Sequence, residues 1–240
     1  MPHFFIDEEI VANEYTLYGE DGRHIAKSLR MNKGEGLTLC SPSGTVHDSI
    51  IEDISADTVS VKILSSKLSD AEPNIEVTLY QALPKGDKME FIIQKAVELG
   101  VTKIVPMISS RCISRPDKKS LSKKIPRWQK IAKQAAMQSG RGIIPKIGKC
   151  VSFKEAVDSA DGKKIIFYEL GGEIVRKILG NKPEKISIFI GSEGGFSSEE
   201  VALVTESGGQ KATLGKRILR AETAPLAALT IIMYETGNME

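Results

Sequence analysis

Histidine is scarce in this sequence. His3, His24 and His47 are the only three in 240 residues, and all lie in the first fifty. No GxSxG elbow occurs either, so a serine hydrolase with a histidine base is excluded. Cysteine is also sparse. Cys40, Cys112 and Cys150 are odd in number and show no CxxC spacing, which indicates neither a disulfide framework nor a zinc site. No His/Asp/Glu cluster has metal-ligand spacing, so no metal is expected. Long hydrophobic runs are missing. The longest nearly apolar stretch, residues 224–234, is too short to cross a bilayer. The opening MPHFFIDEE meets acids at once and lacks the charge-then-apolar order of a signal peptide. These features predict a soluble, cytoplasmic protein without a membrane segment. The phosphate loop GxxxxGK[ST] is absent as well. Residues 209–216 carry one residue too many before Gly215, and Arg217 follows Lys216 where Ser or Thr should stand. GxGxxG does not occur, so nucleotide hydrolysis and dinucleotide binding are weakly supported.

What is present is an uneven charge. The formal net charge is only +2. Residues 1–72 hold 6 Lys/Arg and 13 Asp/Glu, whereas residues 73–240 hold 27 and 18. Between Arg111 and Lys149 stand twelve Lys/Arg and a single acid, Asp117. A one-sign excess of that size fits a polyanion partner better than an ordinary solvated face.

The chain divides by pattern. Residues 3–6, 36–40, 46–54 and 58–64 are short strand candidates separated by Asn/Gly/Ser/Pro turns, which suggests a small barrel over residues 1–70. Residues 24–31 form a candidate helical turn. The polar stretch SSKLSDAEPN, residues 65–74, reads as a boundary. From residue 74 to 240 strands and helices alternate, so an α/β domain with a parallel sheet is expected. Residues 75–82 and 101–108 are strands around a helix capped by Asp87 with Glu90. Pro126 suits the first turn of the next helix, whose apolar face includes Trp128, Ile131, Ala132 and Ala135. Trp128 fits core packing better than base stacking.

The most informative stretch is residues 186–226. A β-branched and aromatic run, 186–190, stops at Gly191-Ser192-Glu193-Gly194-Gly195. A helix follows with Ser197 and Glu200 as a capping box. A second strand over residues 211–214 stops at Gly215. Two glycine loops at strand carboxyl ends mark a ligand position in open α/β sheets.

Together IGSEGGFSSEE and LGKRILRAETA resemble the signatures of the RsmE family, the 16S ribosomal RNA uridine-N3 methyltransferases of the SPOUT class. Similar matches run through His24-Ile25 with Leu29-Arg30, through QALPKGDKME and QKAVELGV, and through Ser110-Arg111-Cys112, Arg127-Trp128 and Gln138 to Arg141. The departures are Ser192, where the family usually has proline, and the acidic first unit, whose overall charge would repel RNA unless basic side chains gather on one face.

The resemblance implies a small N-terminal PUA-like β-barrel that binds RNA and a C-terminal SPOUT-type sheet with a trefoil knot. It implies a homodimer, S-adenosyl-L-methionine as cofactor, and 16S rRNA or the small ribosomal subunit as partner. Carried onto this sequence, the cofactor residues are Glu169, Leu170 and Gly171; Ile190, Gly191, Glu193, Gly194, Gly195 and Phe196; and Leu214, Gly215, Ile218 and Leu219. Uracil N3 bears a proton at neutral pH, so methylation needs a proton acceptor and a cation for the developing oxyanion. Glu222 and Arg220 are the candidates, with their mutual pairing as an equal alternative. Arg111 and Arg141 are assigned to RNA phosphates or the target base, and Lys123, Arg127, Lys130, His24 and Arg30 to RNA. Two other readings stay open. One is a SPOUT methyltransferase for another base or a ribose 2′-hydroxyl. The other is a non-catalytic RNA-binding ribosome-assembly module.

Overall fold

A computed structural model describes residues 1–180 and 183–239. The chain forms two compact units, Met1–Glu72 with Ala136–Ile143, and Pro73–Ala135 with Ile144–Glu240.

The first unit contains β1 (His3–Phe5), β2 (Glu14–Tyr18), α1 (Gly19–Arg23), a π-helical segment His24–Leu29, β3 (Gly36–Cys40), β4 (Thr45–Ile54) and β5 (Thr58–Leu68). The strands make one sheet in the order β1-β3-β4-β5-β2. Only β1 and β3 pair in parallel. The pairing path is open, with β1 and β2 at its ends. Irregular register between Asp48 and Ser49, and between Ile51 and Asp53, marks bulges in β4. Such bulges bend a strand and increase its twist. Phe4, Leu17, Ile25, Leu37, Leu39, Ile51, Val59 and Val61 build one core. Alternation supplies that core, since every second residue of a strand points the same way. β2 (EYTLY) is not among the strands expected from the sequence. The expected helical turn at 24–31 is a wider π turn, and Arg30 after it sits at φ 53°.

The second unit is a parallel sheet with helices between its strands. In chain order come β6 (Glu76–Ala82), α2 (Lys88–Glu98), β7 (Lys103–Ile108), α3 (Lys118–Ser139, whose last residues from Ala136 belong to the first unit), β8 (Lys146–Ile147), β9 (Val151–Ser152) and α4 (Phe153–Ser159). Then follow β10 (Lys163–Phe167), α5 (Val175–Leu179), β11 (Lys185–Ile190), α6 (Ser198–Glu206), β12 (Gln210–Ala212) and α7 (Thr223–Glu235). The sheet order is β12-β10-β11-β6-β7-β8, with β9 also on β7. Order reverses about β6. The next strand in sequence, β7, lies on one side and β11 on the other. Val77, Leu79, Ile186, Ile188, Phe189 and Ile190 are all buried, as strands covered on both faces require. Tyr80 stacks on Phe189 with centroids 4.9 Å apart.

The helix limits follow local chemistry. Ser197 accepts from the Glu200 amide while the Glu200 side chain accepts from Ser197, the reciprocal cap expected there. Ser152 and Glu155 do the same for α4. Asp87 stands at the N-cap of α2 but makes no side-chain cap bond, and Glu90 instead pairs with Arg127 at 2.8 Å. Pro126 does not begin its helix. α3 starts eight residues earlier, where Asp117 Oδ1 accepts from the Ser120 amide at 2.7 Å. A proline inside a helix leaves the carbonyl four residues back without its donor. That residue is Ser122, which is exposed, so water can take the donor's place. Trp128 is buried, as its apolar stripe predicts.

Candidate active site

The carboxyl ends of β10, β11 and β12 open into one cleft of about 440 Å³. Three loops form its walls. Those after β10 and β11 are shaped by glycines whose side-chain positions are already taken, and that after β12 by a glycine at positive φ.

The loop after β11 folds on itself. The Gly195 amide donates to the Ser192 carbonyl at 2.9 Å, and Gly195 sits at φ +65°. A Cβ on Gly195 would lie 2.5 Å from Glu169 Oε1, and one on Gly194 would lie 2.9 Å from the Arg111 Cβ. A Cβ on Gly191 would stand 3.0 Å from the Gly195 Cα. Glycine here is therefore required by close approach as well as by conformation. Arg111 Nη1 donates to the Gly194 carbonyl at 3.2 Å and lies 4.0 Å from Glu169 Oε1. Gln81, fully buried at the end of β6, donates to the Gly191 carbonyl at 3.3 Å. Glu200 adds a tie from below, accepting from the Ser110 amide at 2.7 Å.

The loop after β10 is stitched to β12. The Tyr168 amide donates to the Ala212 carbonyl at 3.0 Å, and the Glu173 amide to the Lys211 carbonyl at 2.9 Å. A Cβ on Gly172 would lie 2.7 Å from that backbone. The loop after β12 carries Gly215 at φ +100°. Its Arg220 carbonyl accepts from the Thr223 and Ala224 amides, which opens α7.

The cleft gathers most of the cofactor residues carried over from the family. Glu169, Ile190, Gly191, Glu193, Gly194, Gly195, Leu214, Gly215, Ile218 and Leu219 all line it. Leu170 and Gly171 lie outside the lining. Leu170 is exposed, and the Gly171 amide closes a turn onto the Tyr168 carbonyl. Phe196 is fully buried below the loop against Phe153, at 5.4 Å between centroids, so it supports the loop rather than facing the cleft. Arg220 lines the cleft.

Glu222 does not pair with Arg220. Its partner is Lys88, whose Nζ lies 3.0 Å from Glu222 Oε2 and 3.1 Å from Glu193 Oε1. Lys88 lines the cleft from the first turn of α2. Sequence reasoning missed it because the partners stand over one hundred residues away. The Lys88 ammonium first, then Glu222's own backbone amide, with smaller help from Arg220, hold the Glu222 carboxyl below the usual range. Burial pushes Glu193 up, but backbone amides and Lys88 outweigh it and leave this carboxyl lowered too. Both are therefore ionised at neutral pH. The Lys88 ammonium is raised, first by Glu222 and then by Glu193.

The residues assigned to RNA are scattered. Lys123, Arg127 and Lys130 are exposed along α3, with Arg127 held by Glu90. His24 and Arg30 are exposed in the first unit, where the His24 ring meets Phe4 edge-on at 6.1 Å. Arg141, expected at a phosphate or the target base, is buried and engaged by Glu72. Among the described residues no cluster suits a metal ion, and no helix is long and apolar enough to cross a membrane.

The sequence family described as RNA methyltransferase domain matches residues 71–233, and that described as RNA methyltransferase PUA domain matches residues 17–64. Ribosomal RNA small subunit methyltransferase E of Bacillus subtilis is 38% identical over 94% of this chain and 91% of its own length. The protein of the same name from Buchnera aphidicola (Acyrthosiphon pisum) is 30% identical over 100% and 96%. A crystal structure of ribosomal RNA small subunit methyltransferase E from Neisseria gonorrhoeae, bound to S-adenosyl methionine, superposes with a TM-score of 0.86. It is 33% identical and covers 98% of this chain and 97% of that one. A cleft framed by obligatory glycines, on a chain related along its whole length to these enzymes, places the protein in the ribosomal RNA small subunit methyltransferase E (RsmE) family.

Proposed function

We propose that this chain is an S-adenosyl-L-methionine-dependent methyltransferase acting on N3 of a uridine in 16S ribosomal RNA. The observation that carries the reading is the convergence of two glycine loops on one cleft, with the ionised Glu222 outside the lining itself but held at its wall by Lys88, which does line it. The cleft's size falls in the range of small-molecule sites. Its walls offer Ile190, Leu214, Ile218 and Leu219 for an adenosine and the Glu169 and Glu193 carboxylates for hydroxyls or a cation. The residues present thus fit the cofactor. A triphosphate would meet those carboxylates unfavourably.

When bound, the cofactor supplies a methyl already activated on a sulfonium. The protein's task is then the nucleophile. Glu222, ionised at neutral pH, takes the proton from N3. Arg220, exposed at the rim, faces the charge that spreads onto O2 and O4. One well-placed donor to such an oxyanion is worth about 3 kcal/mol. The N3 edge is the pairing edge, so the base must be unpaired or flipped out to react.

RNA is held by Arg111, Lys123, Arg127 and Lys130 in the residue 74–240 domain and by His24 and Arg30 in the residue 1–70 domain. Arg141 is dropped from this set because it is buried. The twelve-cation stretch supports the assignment, since phosphate contacts dominate RNA affinity. The active form is a cytoplasmic homodimer with a trefoil knot at the cofactor loops. Ile218, exposed in the cleft wall, and Leu170, exposed on the loop that carries Glu169, support a covering partner surface. The return of the chain from the edge strand β12 to pack α7 against α2 supports the knot.

Glu222→Gln tests the chemistry. Single-turnover methylation at saturating cofactor slows by about 10²-fold or more, with cofactor affinity nearly intact. An unchanged rate removes Glu222 from the role of base.

A further inference from the structure

We propose that Lys88 is the positioning residue of the proton acceptor, holding Glu222 in place and sharing its ammonium with Glu193 so that Glu222 stays a usable base. This rests on Glu222 being that base, as proposed above.

The geometry is a three-element clamp. Lys88 reaches from the first turn of α2 and touches one carboxylate from each glycine loop, Glu193 after β11 and Glu222 after β12. The three side chains are partly shielded, with 32%, 28% and 23% of their surface exposed. Glu193 is fixed independently, because its carboxylate also accepts from the Lys85 amide at 3.2 Å. The ammonium therefore sits at a point set by the rigid start of a helix, and Glu222 is drawn to that point.

The electrostatic consequence follows from the charges present. A lone Lys–Glu pair stabilises the carboxylate and makes it a poor proton acceptor. Here two carboxylates divide one ammonium, so the cluster carries one net negative charge. Glu193 raises the basicity that Lys88 lowers. When N3 gives its proton to Glu222, the N–H bond breaks, an O–H bond forms on the carboxylate, and the electron pair stays on the uracil ring. The Lys88 charge is then matched by Glu193 and is not stranded. Arg220 stands on the same loop with Lys216 and Arg217, which also line the cleft, and the first turn of α7 carries no charge. α2, which packs on α7, carries Glu90 paired with Arg127 and Lys95 paired with Glu98. α5, which packs on α7, carries Arg176 paired with Glu235 and Lys177 paired with Glu173.

The test reads the carboxyl directly. In the full-length protein without cofactor, the Glu222 side-chain ¹³C resonance, assigned by its loss in Glu222→Gln, is titrated by NMR. In the wild type its midpoint lies below the ordinary glutamate range. Lys88→Met moves it up, Lys88→Arg brings it back, and Glu193→Gln moves it down. The acid limb of single-turnover methylation shifts in the same sense for each variant. A midpoint that ignores Lys88→Met in a protein with an intact amide spectrum overturns the proposal. If that variant does not fold, an unmoved midpoint in Glu193→Gln overturns it equally. Failure of the base reading looks different: Glu222→Gln then methylates at the wild-type rate while the midpoints still move.

Discussion

Arg141 and Glu72 form a forked ion pair, with Nε donating at 2.9 Å and Nη2 at 2.6 Å to the two carboxylate oxygens. Glu72 Oε1 also accepts from the Gly142 and Ile143 amides. The Arg141 side chain is only 4% exposed. Breaking a buried pair from one side strands the other charge, at a typical loss of 3–5 kcal/mol, near the lower end where water still reaches Glu72, as it does here. Arg141→Ala is thus expected to lower stability by about 3 kcal/mol, measured by urea unfolding. A variant of wild-type stability with weakened RNA binding would return Arg141 to the RNA face.

Lys123, Arg127 and Lys130 lie three to four residues apart on α3 and are exposed. Replacing all three with alanine should weaken RNA binding and flatten the slope of log K against log salt, by about one for each phosphate no longer neutralised. Arg127 is tied to Glu90, an exposed pair worth under about 1 kcal/mol, so RNA phosphate can capture it. Filter binding across a salt series checks both points. A slope that does not change assigns the stripe to something other than phosphates.

Gly195 and Gly215 both have positive φ but differ in surroundings. A Cβ on Gly215 meets nothing within 4 Å, whereas one on Gly195 meets the Glu169 carboxylate. Gly215→Ala is expected to show only the conformational penalty of about 1–2 kcal/mol. Gly195→Ala must also displace Glu169, and it should lose the greater part of cofactor affinity. Calorimetric titration of S-adenosylmethionine into each variant measures the difference, and equal losses would contradict the crowding argument.

Acid should loosen the first unit before the second. His47 is buried with Nε2 2.8 Å from the Ser41 hydroxyl and Nδ1 2.7 Å from that of Ser66. Burial lowers its proton affinity and outweighs Glu9, and burial likewise lowers His3 against the opposing Arg141 carbonyl. A folded-state value below the unfolded one means the unfolded chain binds more protons. The contribution of these residues is therefore complete above the unfolded histidine value of about 6.5 and is lost as pH falls below it. The Glu193 and Glu222 contributions are retained until pH falls below the unfolded glutamate value of about 4.3. Hydrogen exchange read by segment between pH 7 and pH 5 should show protection falling in β3 to β5 first.

Much of the catalytic unit was legible because its signals are local. The cap at Ser197 and Glu200 and the β-α-β alternation depend on residues a few places apart. The start of α3 was missed because Pro126 looked like an opening residue, whereas Asp117 caps the helix and an exposed Ser122 tolerates the proline. Long-range pairing was not legible. Nothing near Lys88 announces Glu222, and nothing near Arg141 announces Glu72. A cation's partner is set by the fold, so the sequence shows that a charge exists and not whether it is already neutralised.

The cleft is proposed to direct methylation to uridine N3. The most direct test of this is to incubate the purified protein and S-adenosylmethionine with small-subunit particles from cells lacking it, then map the product nucleosides by mass spectrometry. The expected product is 3-methyluridine at one position in 16S RNA. A methyl on another base or on a ribose hydroxyl, or no methyl at all, would contradict it.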